Sequence, residues 1–164
     1  MPNVHKAIAI IAPHSSNLDF LIGIAVVFCL DLEASYIGKI ELFRWPMGPL
    51  MRWLGGIAVD RAASHGVVDQ VVAEFQGRER LIIGITPEGT RRRGSGWKLG
   101  FYWIAVRAKV PIIPICLDWK RREWSFLPAF HPTGDAESDL AALQAHYASL
   151  TRRDGFPLTL SARP

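Results

Sequence analysis

The stretch Ala7-Ile8-Ala9-Ile10-Ile11-Ala12-Pro13-His14-Ser15-Ser16-Asn17-Leu18-Asp19 decides the fold class. Its first six residues are apolar and closed by a proline, the pattern of a buried strand. A short polar junction holding a His and an Asp follows, and the apolar run Phe20 to Leu30 then reads as a buried helix. That run is eleven residues long and is stopped by Asp31, well short of the roughly 20 that cross a bilayer. The start of the chain, MPNVHKAIAIIAPHSS, has no long apolar segment followed by a small-residue cleavage site, so it does not read as a signal peptide.

Outward from this junction the same alternation continues. Ala34 to Gly38, Gly56 to Val59, Leu81 to Ile85 and Val110 to Leu117 are short apolar runs bounded by Gly, Pro or charge, and read as strands. Between them, His65 to Phe75 places Val67, Val68, Val71, Val72 and Phe75 on one side at helical period, with Asp69, Gln70 and Glu74 elsewhere. Trp97 to Ala108 reads as a second helix, with Trp103 as a core residue inside the apolar run Phe101 to Val106. Ala136 to Leu150 reads as a third, its Leu140, Leu143 and Tyr147 spaced by three and four. Strand–helix–strand order without a linker or internal repeat points to α/β: residues 1–164 as a single domain with a mixed, largely parallel sheet flanked by helices.

Composition agrees with a globular chain: 164 residues, 49% hydrophobic and 21% charged, which excludes disordered and fibrous classes. Cys29 and Cys116 both sit inside apolar runs, where the expected role is a small buried hydrophobe in a reducing cytosol rather than a disulfide. The five histidines, His5, His14, His65, His131 and His146, show no spacing of a ligand set, so no metal is expected. A net charge of +4 favours anionic partners. The arginines cluster in Arg91-Arg92-Arg93 and Lys120-Arg121-Arg122.

Two stretches carry chemistry. His14 and Asp19 occupy a strand-to-helix junction, the place where α/β folds expose functional side chains. Residues five apart diverge in a continuous helix, so the two meet only if His14 precedes the first turn, which an N-cap at Ser16 or Asn17 allows. Asp19 then fixes the imidazole tautomer and the other ring nitrogen takes a proton. The alternative is structural: Ser16-Asn17-Leu18-Asp19 also fits a capping box, which would occupy Asp19 with a backbone amide. The second stretch, Thr86-Pro87-Glu88-Gly89-Thr90-Arg91, follows the strand Leu81 to Ile85, and reads either as a solvated turn or as a site. In the second case Arg91, and Arg61 just past Gly56 to Val59, offer guanidinium forks suited to phosphate oxygens.

From Ile8 to Ile115 these blocks together resemble the glycerolipid acyltransferases of the lysophosphatidate acyltransferase type. His14 to Asp19 is similar to the family's His-four-Asp block. Lys39, Leu42, Gly48 and Arg61 are similar to its second block, Thr86 to Arg91 to its Pro-Glu-Gly-Thr-Arg block, and Val110 to Ile115 to its proline-punctuated apolar block. Pro13 stands where the family usually has Asn, and Thr86 where it has an aromatic residue.

The resemblance implies an O-acyltransferase of phospholipid biosynthesis. A fatty acyl group would pass from acyl-CoA or acyl-carrier protein, acting as co-substrate with no further cofactor, to a hydroxyl of a lysophospholipid such as lysophosphatidate. His14 and Asp19 would be the catalytic pair, and Arg61, Arg91 and Lys39 would hold the phosphate. Glu88, with Gly89 and Thr90, would position the acceptor.

The chain begins almost at the first catalytic strand, which leaves no room for the N-terminal helical segment that contacts membrane in bacterial members. A cytoplasmic protein attached peripherally to the inner face of the cell membrane is therefore expected, through another segment. Phe43 to Trp53, where tryptophans, methionines and arginines alternate, reads either as that interfacial segment or as a partly buried connection. Two competing readings remain, an acyl thioesterase and a non-enzymatic basic module binding nucleic acid or anionic membrane. The chain shows no nucleic-acid motif, and no nucleic-acid partner is expected.

Overall fold

The computed structural model describes residues 4–12, 23–24, 34–63, 66–87, 97–118 and 123–151. Among the described residues six strands form one sheet in the order β3-β2-β4-β1-β5-β6. They are β1 (Lys6–Ala12), β2 (Ala34–Lys39), β3 (Gly56–Val59), β4 (Leu81–Ile85), β5 (Ile112–Asp118) and β6 (Glu123–Phe126). All pairings are parallel except β5 with β6, which is antiparallel. The helices bounded within the described residues are α1 (Gly48–Trp53), α2 (Val67–Gly77), α3 (Gly100–Ala108) and α4 (Ala136–Thr151). The α/β class and the mixed, largely parallel sheet expected from the sequence are therefore present.

Side-chain alternation along the strands divides the core in two. Ile8, Ile10 and Ala12 of β1 point to one face with Ile57, Val59, Leu81, Ile83 and Ile112. There they meet Val71, Val72 and Phe75 of α2, Phe101, Tyr102, Ile104 and Ala105 of α3, and Leu140, Leu143 and Tyr147 of α4. Ala7, Ala9, Ile113 and Ile115 form a smaller cluster on the opposite face. Strands buried on both faces are why these runs read as continuous rather than alternating hydrophobicity. Of the run Phe20 to Leu30, only Gly23 and Ile24 are described, and both are helical; Cys29 lies outside the described residues.

Several boundaries moved for local reasons. Trp97 to Leu99 precede α3 instead of joining it, because the Lys98 amide donates to the Pro87 carbonyl at 2.8 Å. At the other end Lys109 adopts φ 55° and the Val110 amide returns to the Ala105 carbonyl at 3.0 Å, a left-handed cap that delays β5 to Ile112. Pro114 sits inside β5 without breaking the sheet. The Ile112–Phe130 and Ile115–Phe126 pairs leave three steps on β5 opposite four on its partner, so the missing N–H faces a bulge. Trp103, expected in the core, is 41% exposed, since α3 buries Phe101, Tyr102, Ile104 and Ala105 and turns residue 103 outward. Cys116 is half-buried against the larger core cluster.

Two polar networks tie α4 to this framework. The Tyr147 hydroxyl accepts from the Ile115 amide at 3.1 Å and donates to the Ile10 carbonyl at 2.8 Å, with the Ile115 carbonyl also within 3.2 Å. A side chain from the helix thus bridges the β1–β5 ladder. Asp139, 4% exposed, accepts from the Tyr102 hydroxyl at 2.8 Å, the Thr133 amide at 2.7 Å and the Thr133 hydroxyl at 3.0 Å. Burial pushes its carboxyl up, but the bonds from Thr133, Tyr102 and the Gly134 amide outweigh this and hold it below the usual carboxylate value. Burial and the Asp139 carboxylate push the Tyr102 phenol up to about 12.

Tyr147→Phe leaves the buried Ile115 amide and Ile10 carbonyl without their bridge and should lower unfolding free energy by about 1–3 kcal/mol. Urea denaturation reads this directly, and an unchanged midpoint would show that the bridge adds nothing. Because the folded Asp139 carboxyl titrates below its unfolded value of about 3.9, its contribution is complete above that pH and disappears as pH falls through the folded value. Asp139→Asn should therefore be destabilised at neutral pH and lose less than the parent chain on acidification below about pH 4, as thermal melts across pH would show.

Candidate active site

The four adjacent parallel strands β3, β2, β4 and β1 end at one edge of the sheet. Lys39 pairs with Val59. Carried past the end of β4, the register of the Tyr36–Gly84 and Ile10–Ile85 pairs brings both Lys39 and Ala12 to the level of residue 87. Val59, Lys39, Pro87 and Ala12 thus form one row across the carboxyl edge. At about 4.8 Å between strands, the row spans roughly 15 Å. Carboxyl ends of parallel strands are where open α/β sheets bind ligands, because the backbone turns away there and frees side chains.

Lys39 closes β2 and is exposed. Arg61 lies two residues beyond Val59, also exposed, on a turn that α2 fixes from outside. The Gln70 side chain accepts from the Asp60 amide at 2.9 Å and donates to the Asp60 carbonyl at 2.7 Å, clasping both backbone groups of one residue. The Asp60 carboxylate accepts from the Ala62 amide at 2.8 Å, so the backbone on either side of Arg61 is held while its guanidinium faces water. Two basic side chains expected at the site therefore share its edge, on neighbouring strands.

His14, Asp19, Glu88, Gly89, Thr90 and Arg91 lie outside the described residues, as do Pro13 and the Ser16–Asp19 capping alternative. What is described is how their flanks are anchored. Residue 14 follows Ala12, a wholly buried end of the central strand β1. Residues 88–96 leave from the buried Pro87 and return to Trp97, and the Lys98–Pro87 hydrogen bond closes the base of that excursion. Trp97 is 1% exposed and stacks edge-on against Tyr147 at 5.4 Å and Phe101 at 5.8 Å between ring centroids. Its Nε1 has no hydrogen-bond partner among the described residues.

Tyr147 therefore touches both supports, the β1–β5 ladder through its hydroxyl and the base of the 88–96 excursion through its ring. Neither this link nor the Gln70 clasp was visible in the sequence. Periodicity marks Tyr147 only as apolar-facing and Gln70 only as polar, and neither pattern reports a hydrogen bond to a distant strand. Among the described residues no group of three His, Cys, Asp or Glu is placed to hold a metal ion, and no helix is long and apolar enough to cross a membrane.

The family model described as Acyltransferase matches residues 1–118. Over 115 residues the chain is 36% identical to the 1-acyl-sn-glycerol-3-phosphate acyltransferase of Escherichia coli (strain K12), an alignment covering 66% of this chain and 45% of that protein. It is 35% identical over 113 residues to the human 1-acyl-sn-glycerol-3-phosphate acyltransferase beta, covering 65% of this chain and 39% of that one. The crystal structure of the 1-acyl-sn-glycerophosphate (LPA) acyltransferase from Thermotoga maritima superposes with a TM-score of 0.61 at 18% identity, over 92% of this chain and 68% of the other, and shares its fold. The chain spans less than half the length of the two sequence relatives it is aligned with here. With the family model covering residues 1–118, the chain belongs to the acyltransferase family.

Proposed function

We propose that residues 1–164 form one acyltransferase domain of phospholipid biosynthesis. It transfers a fatty acyl group from acyl-CoA or acyl-carrier protein to the hydroxyl of a lysophospholipid such as lysophosphatidate, the kind of acceptor named in its relatives. The observation that carries this reading is the common row at the carboxyl edge. Glu88 follows Pro87 directly, and His14 comes two residues after Ala12, which chain geometry limits to about 7 Å from it. Lys39 and the clasped Arg61 turn lie on the same edge.

His14, oriented by Asp19, takes the proton from the acceptor hydroxyl as its oxygen attacks the thioester carbonyl. The new C–O bond forms, the C–S bond breaks, and the imidazolium, stabilised by Asp19, returns the proton to the departing thiolate. No acyl-enzyme is required. Arg61 and Arg91, with Lys39, hold the acceptor phosphate, while Glu88, Gly89 and Thr90 shape the place of its glycerol backbone. Correct orientation of two reactants lowers a barrier by roughly 7–11 kcal/mol, so most of the effect comes from positioning. The domain acts on the cytoplasmic side, peripherally attached to the inner face of the cell membrane, where such acceptors reside.

Thiol release from an acyl thioester, measured with and without lysophosphatidate, tests the reaction. Release should require the acceptor and vanish in a folded His14→Ala variant. Arg61→Ala should raise the acceptor KM roughly 10- to 100-fold, as loss of a charge-assisted hydrogen bond does, with little effect on donor KM. Acceptor-independent release would make the protein a thioesterase, and a fully active His14→Ala would remove His14 from the mechanism.

A further inference from the structure

We propose that the β2–β3 crossover, residues 40–53, is a preformed surface that inserts into the interface of an anionic phospholipid bilayer. This deepens the peripheral-membrane reading above and rests on it, but it is independent of the role given to His14.

Among the described residues seven large hydrophobic side chains are exposed, and six of them belong to this one stretch: Ile40, Leu42, Trp45, Met47, Leu50 and Trp53. Trp45 is 88% and Trp53 70% exposed, values that scattered surface residues of a folded domain seldom reach together. Leu50 and Trp53, three apart on α1, share a helix face.

The exposure is not that of a loose loop. Phe43, 5% exposed, is the plug that holds the crossover to the sheet. Its ring occupies room that only glycine leaves, since a Cβ at Gly38 or Gly56 would stand 2.7 or 2.8 Å from it. At Gly48 a Cβ would stand 2.1 Å from the Phe43 carbonyl oxygen, and the Gly48 amide donates to the Arg44 carbonyl at 2.8 Å. The Arg52 guanidinium lies over the Phe43 ring at 5.8 Å from its centroid. The Tyr36 hydroxyl donates to the Met51 carbonyl at 3.3 Å. With Phe43 seated inward, Leu42, Arg44 and Trp45 face out. Gly38, Gly56 and Tyr36 share the sheet face opposite that of α2, α3 and α4, so those helices do not cover the surface.

Three features select a bilayer. Tryptophans amid Met, Leu and Ile are the side chains that settle at the headgroup boundary. Arg44 and Arg52 bring positive charge against the single acid Glu41, complementary to anionic lipid. The crossover also starts one residue after Lys39, at the carboxyl edge, so docking it sets that edge against the phase in which a lysophospholipid acceptor dissolves.

The test is co-sedimentation of the purified chain with vesicles of phosphatidylglycerol and phosphatidylcholine. The parent chain should bind, less so in pure phosphatidylcholine and less as salt rises. The double variant Trp45→Ser/Trp53→Ser should lose about tenfold or more in partition, with an unchanged circular dichroism spectrum and unchanged turnover of short-chain soluble substrates. Trp103→Ser, at a tryptophan exposed outside the crossover, should bind like the parent. Parent binding that the double variant retains would overturn the surface while leaving peripheral attachment intact. No vesicle binding, with Trp45-dependent capture of acyl-carrier protein or Trp45-dependent dimerisation instead, would overturn both.

Discussion

The parallel ladder of β1 with β4 on one side and β5 on the other is the constraint on which the rest of the structure depends. A strand paired on both sides and buried on both faces carries no polar side chain through its interior, and after Lys6 at its start β1 has none from Ala7 to Ala12. Polarity can begin only where the strand ends. Because the neighbouring strands run in the same direction, they end at one edge, where the described polar residues Lys39, Asp60 and Arg61 stand. The tyrosine bridge of α4 is part of the same constraint, since it joins β1 to β5 four residues before His14 and packs on the tryptophan that ends the neighbouring excursion.

Rigidity at this edge comes from parts of the chain far away in sequence. Gln70 from α2 clasps the residue before Arg61, Lys98 from the segment before α3 closes the 88–96 excursion, and Tyr147 from α4 braces the central strand. Each contact is a hydrogen bond to backbone, so it fixes where a strand exit points rather than supplying a reactive group. In the proposed reaction, where orientation supplies most of the rate, such supports matter as much as the proposed base. The crossover on the opposite face is organised by a single plug, Phe43, whose seat is shaped by glycines.

The central strands were legible because runs such as Ala7 to Ala12 and Leu81 to Ile85 are apolar throughout and end at Pro or a polar turn. β6 was not, since Glu-Trp-Ser-Phe is short, begins with a charge and exists through its pairing with β5. α1 was also hidden: Gly48-Pro49 reads as a turn, and the helix is held by Phe43 rather than by an apolar face of its own. Trp103 misled because an unbroken apolar run on a helix hides which residue faces out. At the carboxyl edge, motif order singled out Lys39 and Arg61, and both stand there exposed, whereas His14, Asp19 and residues 88–91 lie outside the described residues. The supports went unseen because a hydrogen bond between Gln70 and Asp60, or Tyr147 and Ile10, leaves no periodic trace.

The most direct measurement is a crystal structure of the chain bound to lysophosphatidate. The phosphate should lie at the carboxyl edge within hydrogen-bond distance of the Arg61 and Arg91 guanidiniums, with the acceptor hydroxyl against the His14 imidazole. A phosphate held instead at the amino edge, or on the Lys120 to Arg122 cluster with His14 remote from the hydroxyl, would contradict the convergence of the strand ends as the basis of the site.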